Sequence, residues 1–339
     1  MMEMLKTLCN LCGTSGREDK VREFILSEIS PYAECRVDPL GNIIAFKKGK
    51  NPAKVRVTAD AHMDEVGVIV THIDEGSFIR FTTVGGIEVP ALLGKRFIFE
   101  NGAVGVVCSK PTHLCDAAEK KALPKTDALC IDIGADSKEK ALEAVSIGET
   151  AVFLPDYKQM GKLICSKALD DRAGCAVLIR LLKEEAEYDF TATFSTQEEI
   201  GTRGAKVAAY NTSPEAAVII EGTTAADLPG SEGANKVCLV GGGAVLSFMD
   251  RSTMYDKKLY DDGRRLADEN RIACQTKTVV AGGNNAGAFH VSCGGVRTAA
   301  ISLPCRYIHS SSSVASPEDL ENVYRLSKLM IAKLAGGEI

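Results

Sequence analysis

The feature of this sequence that most constrains its fold is an alternation of helical and strand-like segments, interrupted by a long strand-rich stretch. Residues 1–68 and 161–339 contain helical patterns beside short apolar runs, such as those at 189–195 and 217–220. Residues 69–160 instead contain many short strand-like runs separated by Gly, Pro and Asp. Alternating strands and helices predict a mostly parallel sheet flanked by helices. We therefore predict an α/β chain with a main domain of residues 1–68 and 161–339, and an inserted β-rich, barrel-like domain at 69–160.

Composition excludes several classes of protein. Hydrophobic residues make up 45% and charged residues 25% of the 339 residues, as in ordinary globular chains. The net charge is −5 and no block of Lys and Arg stands out, which argues against a nucleic-acid or anionic-membrane partner. No apolar stretch approaches the roughly 18 residues that a membrane span needs, and the first residues lack a secretory-signal pattern. The twelve cysteines are scattered without framework spacing, so we expect reduced thiols and a cytoplasmic protein.

Imidazole and carboxylate side chains lie next to several of the predicted strands and helices. Two of the five histidines, His62 and His309, come just beyond predicted strands. The carboxylates at comparable positions are Asp170, Asp171, Glu198, Glu199 and Glu221. Because ligands of open α/β sheets bind outside the carboxyl ends of the strands, we expect these side chains to meet at one edge of the sheet.

Each of these side chains also has an ordinary interpretation when it is taken singly. An Asp pair before a helix is commonly an N-cap, and a Glu pair commonly belongs to a solvated face. Their shared position favours a metal site, because gathering buried carboxylates costs free energy unless a cation neutralises them. Imidazoles with carboxylates, and no cysteine cluster, suit zinc, cobalt or manganese in a hydrolytic site.

The segments around these residues resemble, in the same order along the chain, the glutamyl aminopeptidase and tetrahedral aminopeptidase family of two-metal peptidases. The matching segments are AHMDEVG (61–67), LDDRAG (169–174), QEEIGTRGA (197–205), EGTTAADLPG (221–230) and RYIHS (306–310). The resemblance implies a zinc-peptidase-like catalytic domain, with the inserted domain making dimer contacts. Some members of the family are labelled endoglucanase, but a glycosidase needs two spaced carboxylates and no metal pair.

The resemblance implies five ligands for two divalent metal ions per subunit. His62 and Glu221 would bind one ion. Glu199 and His309 would bind the other, and Asp170 would bridge both. Zinc and cobalt suit these ligands best, and manganese is the third candidate. The family often has Asp where this chain has Glu221, and a longer carboxylate could change the metal preference.

The resemblance also implies a reaction. Glu198 would act as the general base, and Asp64 would orient the His62 imidazole. The reaction would remove N-terminal residues from short peptides, by attack of a water held between the two ions, in a homo-oligomer built from dimers, a dodecamer. A related metal-dependent amidohydrolase or deacylase, and a non-catalytic scaffold of the same fold, are the alternatives. Asn284 and Asn285 replace a Thr-Asp pair of the family, which we expect to remove a carboxylate near the substrate pocket.

Overall fold

The computed structural model of the protein describes residues 1–338. Within them the chain forms nine α-helices, several short 3₁₀ turns and seventeen strands. The helices are α1 (Met2–Asn10), α2 (Asp19–Ile29), α3 (Val89–Leu92), α4 (Lys138–Ala144), α5 (Leu169–Lys183), α6 (Arg203–Thr212), α7 (Lys257–Glu269), α8 (Ala286–Phe289) and α9 (Pro317–Ala335). The strands are β1 (Glu34–Val37), β2 (Ile43–Lys47), β3 (Val57–His62), β4 (Gly67–Ile73), β5 (Ile79–Val84), β6 (Arg96–Phe99), β7 (Val104–Cys108), β8 (Cys130–Asp132), β9 (Thr150–Phe153), β10 (Lys158–Met160), β11 (Leu163–Ser166), β12 (Phe190–Ser195), β13 (Ala216–Thr224), β14 (Ala244–Leu246), β15 (Cys274–Thr276), β16 (Arg297–Cys305) and β17 (Ser313–Ala315).

Eight strands form the central sheet, in the order β1-β2-β12-β3-β13-β16-β14-β15. The pairings of β12 with β3, β3 with β13, β13 with β16 and β14 with β15 are parallel. The pairings β1–β2, β2–β12 and β14–β16 are antiparallel. The predicted mostly parallel sheet is therefore confirmed. The four consecutive parallel strands β12-β3-β13-β16 lie in the middle, where they bring their carboxyl ends to the same edge.

Helices cover both faces of the sheet, because successive side chains of a strand point to opposite faces. Val218 and Ile220 of β13 pack in the large core beside α5 and α9. Ala217 and Ile219 of the same strand face the other way, into a second apolar cluster that includes residues of α6 and α8. This explains why β13 reads as a continuous apolar run in the sequence.

The strand-rich stretch forms a closed barrel of six strands, β4-β5-β8-β7-β6-β9. Its interior is filled by apolar side chains, among them Phe81, Phe97 and Phe153. The barrel-like fold of the insertion is thus confirmed, whereas the division into domains at residues 69 and 160 stays a prediction. A separate three-stranded sheet, β10-β11-β17, combines two strands that directly follow the barrel in the chain with one that precedes α9.

Two central strands continue further than their apolar runs indicate. His62 is the last residue of β3, and Glu221 lies inside β13, although both were expected just beyond a strand. The reason is that β13 keeps its parallel pairing with β16 as far as Thr224 opposite Cys305. The backbone pairing therefore continues beyond the apolar run, into a part of the strands whose polar side chains face the site described below.

Among residues 1–338, no helix combines the length and apolar character that crossing a membrane requires.

Candidate active site

The first group of site residues surrounds the His62 imidazole at the carboxyl end of β3, where the side chain is buried. Its Nε2 lies 3.1 Å from Glu221 Oε1 and 3.4 Å from Asp170 Oδ1. Glu221 comes from the adjacent parallel strand β13, and Asp170 comes from the start of α5. One imidazole nitrogen and two carboxylate oxygens therefore converge on the same point.

The second group surrounds His309, in the loop between β16 and β17. Its Nε2 lies 3.2 Å from Glu199 Oε2 and 3.8 Å from Asp170 Oδ2. Its Nδ1 lies 2.8 Å from the carbonyl oxygen of Gly86, in the barrel segment between β5 and α3. In the tautomer that donates from Nδ1, this carbonyl fixes the ring and leaves Nε2 free to bind a ligand. The barrel thus orients a side chain of the site.

Asp170 connects the two groups, because Oδ1 faces His62 and Oδ2 faces His309. The backbone N–H of Gly222 donates to Oδ1 at 3.2 Å. A Cβ atom at position 222 would lie 2.7 Å from that same oxygen, so the close approach requires glycine. Asp170 has the position that a carboxylate shared by two cations needs.

The neighbouring carboxylate of Asp171 also lies near His62 and Glu221. Both of its oxygens already accept backbone N–H groups, from His62 at 3.3 Å and from Gly174 at 2.9 Å. An oxygen occupied in this way is a poorer ligand than one that faces the cavity. Asp170 has one such contact, at Oδ1, and it lines the cavity, whereas Asp171 has two and does not line it. This difference favours Asp170 as the ligand and Asp171 as a support for the backbone beneath it.

The buried carboxylate of Asp64 supports both halves of the site. Its Oδ1 lies 3.3 Å from His62 Nδ1 and accepts the backbone N–H of Glu198 at 3.0 Å. Its Oδ2 accepts the backbone N–H of Glu199 at 3.1 Å and the Ser15 hydroxyl at 2.6 Å. Burial acts to raise the pKa of Asp64, but hydrogen bonding to His62 and Ser15 lowers it overall. An ionised Asp64 therefore fixes one imidazole and the backbone of both glutamates.

The Glu198 side chain lines the cavity beside the two groups. Burial, together with the negative charges of Glu221 and Glu199, raises the pKa of Glu198 well above its ordinary range. A carboxyl group in such surroundings accepts a proton more readily than one in water. Glu198 is therefore placed, and electrostatically suited, to exchange a proton with a group in the cavity.

The donor atoms at this edge fit divalent cations. Glu199 Oε1 and Glu221 Oε2 are buried, and neither has a hydrogen-bond partner within the part of the chain that the structure describes. Burial raises the pKa of Glu221 to about 8. Burial acts to lower the pKa of His309, but the Glu199 carboxylate outweighs this effect and raises that pKa to about 9. These shifts report an excess of buried negative charge, which a cation would relieve.

The segments that carry the site residues have unusual backbone conformations. Positive φ angles at non-glycine residues next to or within the site occur at Ala168, Gln197, Thr202, Tyr307 and His309. Such conformations cost about 1–3 kcal/mol each and cluster at functional sites. The turn at Gln197 lets the next two backbone N–H groups point at one carboxylate, that of Asp64.

A buried ion cluster behind the site was not predicted from the sequence. Lys167 Nζ contacts the two oxygens of Glu65 at 2.7 and 2.8 Å, and Arg172 Nη2 contacts Glu65 Oε1 at 3.0 Å. All three side chains are buried. They belong to the segments that carry His62 and Asp170, so the cluster fixes these two segments against each other. The charges are visible in the motifs, but their burial is not.

A cavity of about 800 Å³ opens at the site, and its lining includes Asp170, Glu198, Glu199, Glu221 and His309. The sequence analysis places position 285 near the substrate pocket. This expectation needs correction, because the Asn285 side chain is buried and does not line the cavity. Its Nδ2 donates to Asp60 Oδ2 at 2.8 Å and to Ser195 Oγ at 2.7 Å. The short helix α8 begins here and directs Asn285 toward the sheet, whereas Asn284 lines the cavity.

Comparison with known proteins agrees with this fold. The family model of the M42 glutamyl aminopeptidases matches residues 41–326. An Acetivibrio thermocellus protein named as an aminopeptidase is 38% identical over 329 residues, which cover 96% of this chain and 97% of that protein.

Two solved structures are also similar. The TET aminopeptidase of the marine sediment archaeon Thaumarchaeota archaeon SCGC AB-539-E09 gives a TM-score of 0.94 at 32% identity, covering 98% of this chain and 96% of that one. The TET1 peptidase of Pyrococcus horikoshii is described as assembling into a tetrahedron or a large octahedral shell. It gives a TM-score of 0.85 at 33% identity, covering 97% of this chain and 98% of that one.

The sheet, the barrel and these similarities define a hydrolase that acts on peptide bonds. The chain belongs to the M42 family of aminopeptidases. Family membership confirms the resemblance that the sequence motifs indicate.

Proposed function

We propose that this protein removes N-terminal residues from short peptides and uses two divalent metal ions to do so. The observation that carries the proposal is the orientation of Asp170, whose two oxygens face two separate imidazole–carboxylate pairs. His62 with Glu221 would hold one ion, and His309 with Glu199 would hold the other. Zinc or cobalt fits this set of nitrogen and oxygen donors, and manganese is the third candidate.

The role of Glu198 follows from its place in the cavity. When bound, the metal ions would polarise the scissile carbonyl and lower the pKa of a water molecule. Glu198 would accept a proton from the attacking water and return it to the leaving amine nitrogen. Glu199 cannot share this role if it binds a metal, because its Oε2 already lies 3.2 Å from His309.

Asp64 would act as a positioning residue. It touches His62, Ser15 and the backbone of Glu198 and Glu199, and it does not line the cavity. Its contribution is to hold the base and one metal ligand in a fixed relation. Ligating histidines commonly depend on such a carboxylate for their orientation.

Hydrolysis of matched peptides tests the proposed substrate class. Metal-depleted protein is supplied with zinc, cobalt or manganese and is offered the same short peptides with a free or an N-acetylated N-terminus. We expect cleavage of the first peptide bond only where the amine is free, and only after metal is added. Preferential cleavage of the acetyl group would favour the metal-dependent deacylase instead.

We also propose that residues 69–160 form an association domain and that the protein assembles from dimers into a dodecamer. The description of the P. horikoshii relative as a tetrahedral or octahedral shell supports this proposal. Exposed apolar side chains on the barrel, among them Val104 and Val106, offer surface that a partner subunit could cover. Light scattering should give about twelve times the chain mass of 36.1 kDa. A fully active monomer at micromolar concentration would contradict the proposal.

A further inference from the structure

Two cysteines of the barrel lie opposite each other on neighbouring strands. Cys108 ends β7 and Cys130 begins β8, and the antiparallel register pairs the two residues directly. Residues that are paired in this way have Cα atoms about 4.5 or 5.5 Å apart, and a disulfide spans Cα separations of about 4.4–6.8 Å. The two Sγ atoms are 3.3 Å apart. The strand register therefore holds both thiols within the range that a disulfide can span.

Both thiols lie on the outer face of the barrel. Along β7, Val106 is exposed and Val107 is buried, so the alternation of side chains directs Cys108 outward. On β8, Ile131 is buried, and Cys130, one residue before it, faces the other way. Both cysteines are partly exposed. A small oxidant can therefore reach them from solvent without opening the barrel core.

The strand that begins with Cys130 is the shortest of the barrel. β8 has three residues, and it pairs with β7 at three positions and with β5 at one, Ile79 opposite Ile131. The chain between the two cysteines, residues 109–129, contains three short 3₁₀ turns and is mostly exposed. An element with so few backbone partners opens locally at low cost. A covalent bond between Cys108 and Cys130 would hold β8 on β7 and close the neck of the 109–129 loop.

We propose that Cys108 and Cys130 are a site of reversible thiol–disulfide exchange, whose disulfide fastens β8 to β7. With a low-molecular-weight disulfide such as oxidised glutathione, one cysteine loses its proton and its thiolate attacks a glutathione sulfur. The glutathione S–S bond breaks, and one glutathione leaves and takes up a proton. The second cysteine then loses its proton, attacks the protein sulfur of the mixed disulfide and displaces the other glutathione. The protein loses two electrons and two protons, and one oxidised glutathione becomes two reduced molecules.

The surroundings of Cys108 set the conditions for the test. Burial, and after it the hydrogen bond with Cys130, raises the pKa of the Cys108 thiol to about 12. Because the thiolate is the nucleophile in each exchange step, the pair should react slowly at neutral pH. The exchange is therefore followed to equilibrium in a buffer at about pH 8.5, near the pKa of a free cysteine.

Peptide mass spectrometry of the full-length protein, equilibrated with mixtures of reduced and oxidised glutathione, tests whether the bond forms. We expect one cross-linked peptide pair that contains both cysteines and has lost two hydrogens, and its disappearance after return to reduced glutathione. The exposed Cys293 is the internal reference for an isolated thiol and should carry a glutathione adduct. Recovery of Cys108 and Cys130 only as free thiols or separate adducts, while Cys293 carries its adduct, overturns the inference. Cross-linking of either one to Cys115, in the same loop, overturns it as well.

Hydrogen exchange of backbone amides tests what the bond does. In the oxidised wild type we expect exchange in β8 to be at least about tenfold slower than in the reduced protein, with the central sheet unchanged. Cys108→Ser and Cys130→Ser should each abolish the cross-link and the protection, whereas Cys115→Ser and Cys293→Ser should keep both. Protection that persists in Cys108→Ser, or equal exchange in the oxidised and reduced wild type, overturns the inference.

Discussion

Gly222→Ala should damage the site without removing any functional side chain. The added Cβ would lie 2.7 Å from Asp170 Oδ1 and 2.8 Å from its Cβ and Cγ, whereas ordinary contacts begin at 3.4 Å. Relief of this overlap moves the Asp170 carboxylate by about 0.7 Å, several times the roughly 0.2 Å within which metal–ligand distances are normally held. Because this carboxylate faces both imidazoles, affinity for both metal ions should fall together.

A displacement of this size is expected to lower kcat/KM by on the order of 100-fold, since a misplacement of about 1 Å costs roughly that factor. The assay combines metal content after dialysis with kcat/KM on an unblocked peptide. Gly86→Ala is the matched control, because the added Cβ would meet His309 Nδ1 at 3.6 Å, an ordinary contact, and the carbonyl that holds His309 is retained. If Gly222→Ala kept both ions and a kcat/KM within a few fold of wild type, the assigned position of Asp170 would be wrong.

Three further changes probe other parts of the account. Asp170→Asn should weaken both metal sites together in a metal titration, and loss of one ion alone would contradict a shared ligand. Glu65→Gln should lower the free energy of unfolding by about 3–5 kcal/mol in denaturant unfolding, because it leaves Lys167 and Arg172 buried without their counter-charge. A change below about 1 kcal/mol would show that the cluster contributes little to stability. Burial raises the pKa of Glu18 from 4.5 to about 7, so its contribution to stability should be lost as pH rises through that window, and Glu18→Gln should flatten this part of the curve. An unchanged pH dependence in the variant would exclude Glu18 as its source.

Much of the fold follows from sequence periodicity. The Ser-Pro-Glu segment at 316–318 and the apolar spacing after it predict a helix at 317–335, and α9 has those bounds because the Ser316 hydroxyl accepts the backbone N–H of Glu318. The strand β1 and the sheet β10-β11-β17 were not predicted. Each of these strands has only three or four residues. β1 and β10 are largely exposed, and β11 pairs with β17, which is far from it in the sequence. No alternating apolar pattern therefore marks any of them.

The site residues that the motifs name do meet at one edge, since parallel strands bring their carboxyl ends together. The sequence does not predict contacts made by backbone atoms, or contacts between side chains that are far apart in the sequence. The Gly86 carbonyl holds a histidine that is 223 residues away, and a carbonyl has no sequence signature. Ser15 reaches Asp64 across 49 residues, and a serine in a turn has many commoner roles.

Turnover by Glu198→Gln, in protein shown to hold the same metal content as the wild type, tests the central claim most directly. Gln has nearly the same shape as Glu but cannot accept a proton from the attacking water. The account predicts unchanged metal content and a loss of kcat of about 10²–10⁴-fold, the usual contribution of a general base. Full metal content with a kcat close to that of the wild type would contradict it.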